Sequence, residues 1–279
     1  MAPITREALI EMIKPQERLY GLSLEEADLT DISLAGALLC RCSLKNAQLG
    51  RAVLAAGEFV ECNFEGANLH EAHLRESVFK QCNFSKADLR GADFQESTWM
   101  NCKLNLTLAA EANLIHAILM GVRSQLADFS GAVFKGAHIR DSHLILSLFN
   151  DIRGEKMRVM KTDFSGSSFR GAVLDMSVLA GSNFSMTDMD NAKIRGCQAK
   201  MANFFGSELQ NAVFTKSNLE QAHFLRVNAR QALMNGVNLR GAFMEEGNFS
   251  QVNFDHSFLM QAKTGLANFE GATFNNTKK

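Results

Sequence analysis

The chain has 279 residues, is 46% hydrophobic and carries a formal net charge of −1, which excludes the strongly positive field of a nucleic-acid binder or a polybasic membrane anchor. No stretch approaches the roughly eighteen apolar residues of a membrane span, so no membrane partner is expected. A set of 21 Phe beside one Trp and one Tyr is too skewed for an ordinary globular enzyme and points to repetition.

Residues 1–20 stand outside the repeat. "MAPITREALIEMIK" lacks a basic segment followed by an apolar one, so it does not read as a signal peptide. The expectation is a cytoplasmic protein made in a reducing compartment, with its six cysteines kept as thiols. Thr5 can N-cap a short helix to about Lys14, with Glu7 in its first turn and Pro15 after its end. Leu9, Ile10, Met12 and Ile13 give that helix an apolar side, which suits a cap over an open end.

From Leu24 onward every fifth residue is large and apolar: Leu29, Leu34, Leu39, Leu44, and on in phase to Phe274. Of 51 such slots only Ala109, Ser124, Gly154, Ala199, Ala229 and Thr264 break the rule. Two residues before each central position stands a small one, as at Ala27, Ala37, Cys42 and Ala47. A period of five is neither the 3.6 of a helix nor the 2 of a strand. It combines both a strand and a turn: the small and the central residue point to one side of an extended segment, the residue between them points away, and the last two turn a corner. Glycine collects at the second corner position, 15 of 20, which marks a slot with demanding backbone geometry. Four corners close a square of twenty residues. The expected fold is all-β, a quadrilateral parallel β-helix of about thirteen coils over residues 21–275, with coils about 4.8 Å apart and a polar tail at 276–279.

Cys42, Cys62, Cys82 and Cys102 stand twenty apart, all in the small slot, one per coil on one face. A straight column does not converge on a point, so no tetrahedral metal site is expected. A disulfide between neighbours has the right Cα spacing but parallel side chains. The favoured reading is Cys in place of Ala or Ser as a small buried residue. Cys197 takes the same slot on another face, and Cys40 reads as an outward first-corner residue.

Function should then lie where the polar outside is broken. Second-corner slots hold Leu106, Leu126 and Leu146 in successive coils, with Leu108, Ile145, Leu148 and Met186 beside them and Phe205 and Leu225 further along. Met100, Met120 and Met160 line the opposite corner, and Lys103, Arg123 and His143 run between the two lines. The expected partner surface is Met100, Lys103, Leu106, Met120, Arg123, Leu126, His143, Ile145, Leu146, Phe205 and Leu225, unless a local bulge turns the leucines inward. Whether it makes a homodimer or a hetero-complex stays open. No P-loop, nucleophile elbow or zinc motif occurs, and the seven His are scattered over different faces. No catalytic residue, cofactor, metal or small-molecule substrate is expected.

The recurring A-(D/N)-(L/F) unit, as in Ala27-Asp28-Leu29, Ala67-Asn68-Leu69, Ala92-Asp93-Phe94 and Ala267-Asn268-Phe269, resembles the pentapeptide-repeat proteins. That resemblance implies a right-handed quadrilateral β-helix and leaves function open, because one fold serves several roles. The leader "TREALIEMIKPQERLYGLSLEEADL" resembles the start of pentapeptide-repeat segments that accompany bacterial type VI secretion systems. It implies a non-enzymatic adaptor or accessory protein binding a secretion component or an effector. The quinolone-resistance members, which act on DNA gyrase, imply the alternative of an acidic DNA mimic. Residues 1–100 carry 10 Lys/Arg against 15 Asp/Glu and residues 101–279 carry 19 against 15, so the charge turns basic along the chain and departs from that pattern. A secreted bacterial effector is a third possibility, without a separate effector domain here.

Overall fold

A computed structural model describes residues 6–13 and 17–279. The helix-capping Thr5, Lys14 and Pro15 lie outside the described residues. The helix itself, α1, spans Arg6–Met12. Its Leu9 is fully buried, and the Arg6 guanidinium donates to the Thr30 carbonyl, so α1 lies against the early coils.

The fold is an all-β parallel solenoid, and the chain divides into two compact units, one ending at Ala137 and one from His138 to Lys279. In the first, three-residue strands β1 (Arg18–Tyr20), β2 (Leu38–Cys40), β3 (Glu58–Val60), β4 (Val78–Lys80), β5 (Thr98–Met100) and β6 (Ile118–Met120) pair in parallel, each with the next, at a register of twenty; β7 (Arg123–Gln125) follows. The second holds β8 (His138–Arg140), β9 (His143–Ile145) and β10 (Arg158–Met160), with β8 and β10 paired in parallel. The other sides of each coil meet their neighbours through single bridges at the same offset, such as Asp28↔Gln48 and Asn183↔Asn203. Extended strands therefore account for fewer turns than the thirteen expected. From β1 to β10 the first residues run from Arg18 to Arg158, 140 residues or seven steps of twenty.

Every fifth residue from Gly21 to Asn276 has a positive φ: 15 glycines and 37 residues of other types. The glycine excess was thus the visible part of a stricter rule. In most corners the backbone closes with a bond from residue i+3 to residue i, as where the Ala27 N–H donates to the Leu24 carbonyl (3.3 Å) with Glu26 at φ 57°. That combination is a type II turn. No Val, Ile or Thr occupies any of these positions, because a β-branched side chain is the worst tolerated in left-handed backbone.

The residue before the central one explains the Asp/Asn preference. Asn63, Asn83, Asp88 and Asp93 each accept, through Oδ1, the backbone N–H two residues on at 3.1 Å, a local bond that shapes the corner. Asn83 also donates to Asn63 Oδ1 in the coil before it (3.2 Å).

The central residues form the core. Phe64 and Phe84 stack at 4.6 Å in the first unit, with Phe79 and Trp99 close by at 4.5 Å; in the second, Phe164, Phe184, Phe204 and Phe224 stack at 5.1–5.5 Å. Gly154, an exception in the sequence pattern, is compensated by Met157, whose thioether fills the space a side chain there would take.

Candidate interaction surface

Each side chain on the expected surface is placed by the corner grammar just described. In the first unit Leu106 and Leu126 sit at φ 58° and 59°, which throws their side chains off the coil. They are 46% and 54% exposed, Leu108 beside them is 43% exposed, and no bulge turns them inward. Lys103 and Arg123 are exposed and face each other as a bridged pair along the intervening face, and neither has a carboxylate partner among the described residues. Met100 and Met120 are register partners on the opposite corner and only half-buried.

In the second unit Leu146 takes the same corner geometry at φ 52° and lies over Gly166 of the next coil, where a Cβ would strike its Cδ2. Leu148 is exposed and Ile145 is half-buried. His143 is exposed and bridges Asp163. Phe205 and Leu225 are half-buried and do not continue the Leu146 line as a flat ridge; with Met201, Asn203 and His223 they line an open groove. Past that groove, His223 stacks on Phe243 at 4.5 Å, and the Lys263 ammonium sits 4.6 Å from the Phe243 centroid. Sequence reading passed over Phe243, although a large aromatic in the slot that normally holds Asp or Asn was a usable signal.

The cysteine column has a physical reason. In the corners after β2, β3 and β4 no i+3 bond closes the turn among the described residues, so the central carbonyl is left without it. The thiol of the next coil donates to it: Cys62 to Leu39 (3.3 Å), Cys82 to Phe59 (3.2 Å) and Cys102 to Phe79 (3.4 Å). All six cysteines are free thiols and all are buried. Burial, with the Cys102 and Cys62 thiols next to it, pushes the Cys82 thiol up, and burial, with the Asp175 charge nearby, pushes Cys197 up to about 12. Such thiols are poor nucleophiles. Cys40 corrects the sequence expectation of an outward residue. It is 6% exposed, because its register partners Tyr20 and Val60 flank it on the outer side of the strand stack.

Among the described residues no three His, Cys, Asp or Glu side chains converge as metal ligands, and no helix is long and apolar enough to cross a membrane. The Arg90 guanidinium holds the Asp88 carboxyl below the usual carboxylate range, a surface ion pair within one corner.

The sequence profile of pentapeptide repeats matches residues 18–54, 58–98, 102–145, 160–196 and 202–241, in eight copies. The chain belongs to the pentapeptide-repeat family. Among solved structures it is similar to HetL, a pentapeptide-repeat protein involved in heterocyst differentiation regulation from the cyanobacterium Nostoc sp. strain PCC 7120, at 23% identity over 91% of this chain and 89% of that one, with a TM-score of 0.30. It is also similar to full-length QnrB1, a plasmid-mediated fluoroquinolone resistance protein, at 18% identity over 93% of both chains, with a TM-score of 0.36. No curated protein matches the chain.

Proposed function

We propose that this pentapeptide-repeat protein is a non-enzymatic protein-binding scaffold that uses its leucine corners as the docking surface. The observation that carries this is the exposure of Leu106, Leu108 and Leu126 in one unit and of Leu146 and Leu148 in the other, on a solenoid whose remaining corners are mostly polar or glycine. Clustered exposed apolar side chains with a polar rim mark interaction sites. Large aliphatic residues in strained left-handed corners gain nothing for the core, since the core is built from the central and small slots. The leader sequence supports a finer reading, an adaptor working in a bacterial cytoplasm beside a type VI secretion system, with a secretion component or effector as its partner.

The test is affinity capture from the native bacterium with wild type and with the double variant Leu126→Glu, Leu146→Glu, read by mass spectrometry. The proposal expects a specific protein retained by wild type and lost by the variant; a secretion component among them supports the adaptor role. Gyrase subunits retained equally by both proteins would contradict it and favour the DNA-mimic alternative.

A further inference from the structure

The second unit carries a cationic ledge that the leucine corners do not include. Strands β8 and β10 lie side by side with His138 opposite Arg158 and Arg140 opposite Met160. In both strands the two outer residues are exposed and only the middle one is buried, whereas the equivalent outer residues of β3, β4 and β5 are half-buried. Lys156 and Lys161 sit on the corners at either end of β10, at φ 60° and 47°, so their side chains are thrown outward as the leucines are. Within "RGEKMRVMK", residues 153–161, there are four cations and a single carboxylate, Glu155.

None of Arg153, Lys156, Arg158 and Lys161 has an ion-pair partner among the described residues. Several cations elsewhere on the solenoid are paired. On the matching face of the first unit, Arg18 and Lys80 both reach Glu58, at 3.3 and 2.8 Å. In the second unit Arg195 pairs with Asp175, Lys200 with Glu220 at 3.1 Å and Arg226 with Glu246 at 2.7 Å. Only Arg140 on the ledge is neutralised, by Asp141 at 2.9 Å. The ledge therefore presents four cations without an ion-pair partner, with carboxylates at Asp151 and Asp163 flanking the run, in a chain of net charge −1.

We infer that the β8–β10 ledge docks an acidic segment of a partner protein. Its cations spread across one coil and do not continue along the stack, since the next coil on that side holds Val178 and the internally paired Asp175. A polynucleotide backbone needs a continuous track of such charges. Met160 and Met176, 54% and 63% exposed, stand among the lysines and offer adaptable apolar contact, which suits a peptide with carboxylates around an apolar residue. This site is independent of the leucine corners and stands or falls separately from them.

The test uses the full chain and a labelled peptide built from Glu-Glu-Leu-Glu repeats, followed by fluorescence anisotropy at low and at physiological salt. The variant is Lys156→Glu with Arg158→Glu and Lys161→Glu. It leaves the backbone demand unchanged, because Glu61 and Glu96 already occupy such corners at φ 53° and 60°. Expected are salt-sensitive binding to wild type, a loss of about tenfold or more in the triple variant, unaltered affinity in Lys216→Glu as a control, and a switch of the triple variant to a Lys-Lys-Leu-Lys peptide. Equal binding by wild type and triple variant would overturn the inference. So would tight capture of a single-stranded oligonucleotide, or of phosphatidylserine vesicles, with no binding of the acidic peptide.

Discussion

The two units use the same five-residue grammar and close one of their corners differently. In the first, the corners after β2, β3 and β4 lack the i+3 bond, and a column of cysteine thiols supplies the central carbonyl with a donor from the next coil. In the second, from Leu179 onward, the corner on that face is closed by the turn bond itself: Ser182 N–H to Leu179 (3.3 Å), Ala202 to Ala199 (3.1 Å) and Ala222 to Leu219 (3.0 Å). The small slot then changes from Cys62, Cys82 and Cys102 to Ser182, Ala202 and Ala222. On this face no side chain among the described residues donates to the closed corners, whereas on other faces Ser77 and Cys197 donate to carbonyls, Leu54 and Leu174, that the turn bond also reaches. The Ser182 hydroxyl, in the same column, is the one buried side-chain polar atom without a partner among the described residues.

The core is what the units share, and it is where the largest effects are expected. Phe79→Ala in the first unit and Phe204→Ala in the second should each cost about 3–5 kcal/mol in urea unfolding, since both rings are fully buried within aromatic stacks. A large cost in one and a small cost in the other would mean the cores are not equivalent. The left-handed corner is also shared, with an intermediate effect. Leu126→Ile should destabilise by about 1–2 kcal/mol although it preserves volume and polarity, and Leu126→Asn should recover most of that loss. Equal stability of the two variants would show that the positive φ at this corner imposes no demand. The smallest effects separate the units. Cys82→Ala should cost about 1 kcal/mol, with most of it restored in Cys82→Ser, while Ser182→Ala should be neutral or slightly stabilising because it removes an unsatisfied buried group. Equal costs at both sites would show that the Cys82 thiol's bond to the Phe59 carbonyl contributes nothing.

Much of the fold was legible because the period of five is a direct consequence of geometry. Central Leu or Phe, small Ala or Cys and corner Gly each mark a different side-chain direction, so Leu24 and Phe64 could be placed inside without coordinates. The corner conformation was legible only in part. Gly66 and Gly91 signal a positive φ, whereas Glu61 or Leu106 in the same slot do not, and the rule emerges once all of them are seen together. Cys40 was misplaced because slot logic treats each coil alone, and its burial comes from Tyr20 and Val60 in neighbouring coils. The leucine corners were visible as exceptions to a polar column. The β8–β10 ledge was not, because "RGEKMRVMK" looks like an ordinary solvated stretch until its four cations are seen without an ion-pair contact.

The account rests on the leucine corners being surface and not core, and equilibrium urea unfolding of the Leu126→Glu, Leu146→Glu double variant tests that most directly. The predicted result is a transition within about 0.5 kcal/mol per substitution of wild type with an unchanged slope, as for surface changes away from packed sites. A loss of several kcal/mol, or a protein that no longer folds, would contradict it. Both leucines would then belong to the core, and the docking surface would have to be sought elsewhere on the solenoid.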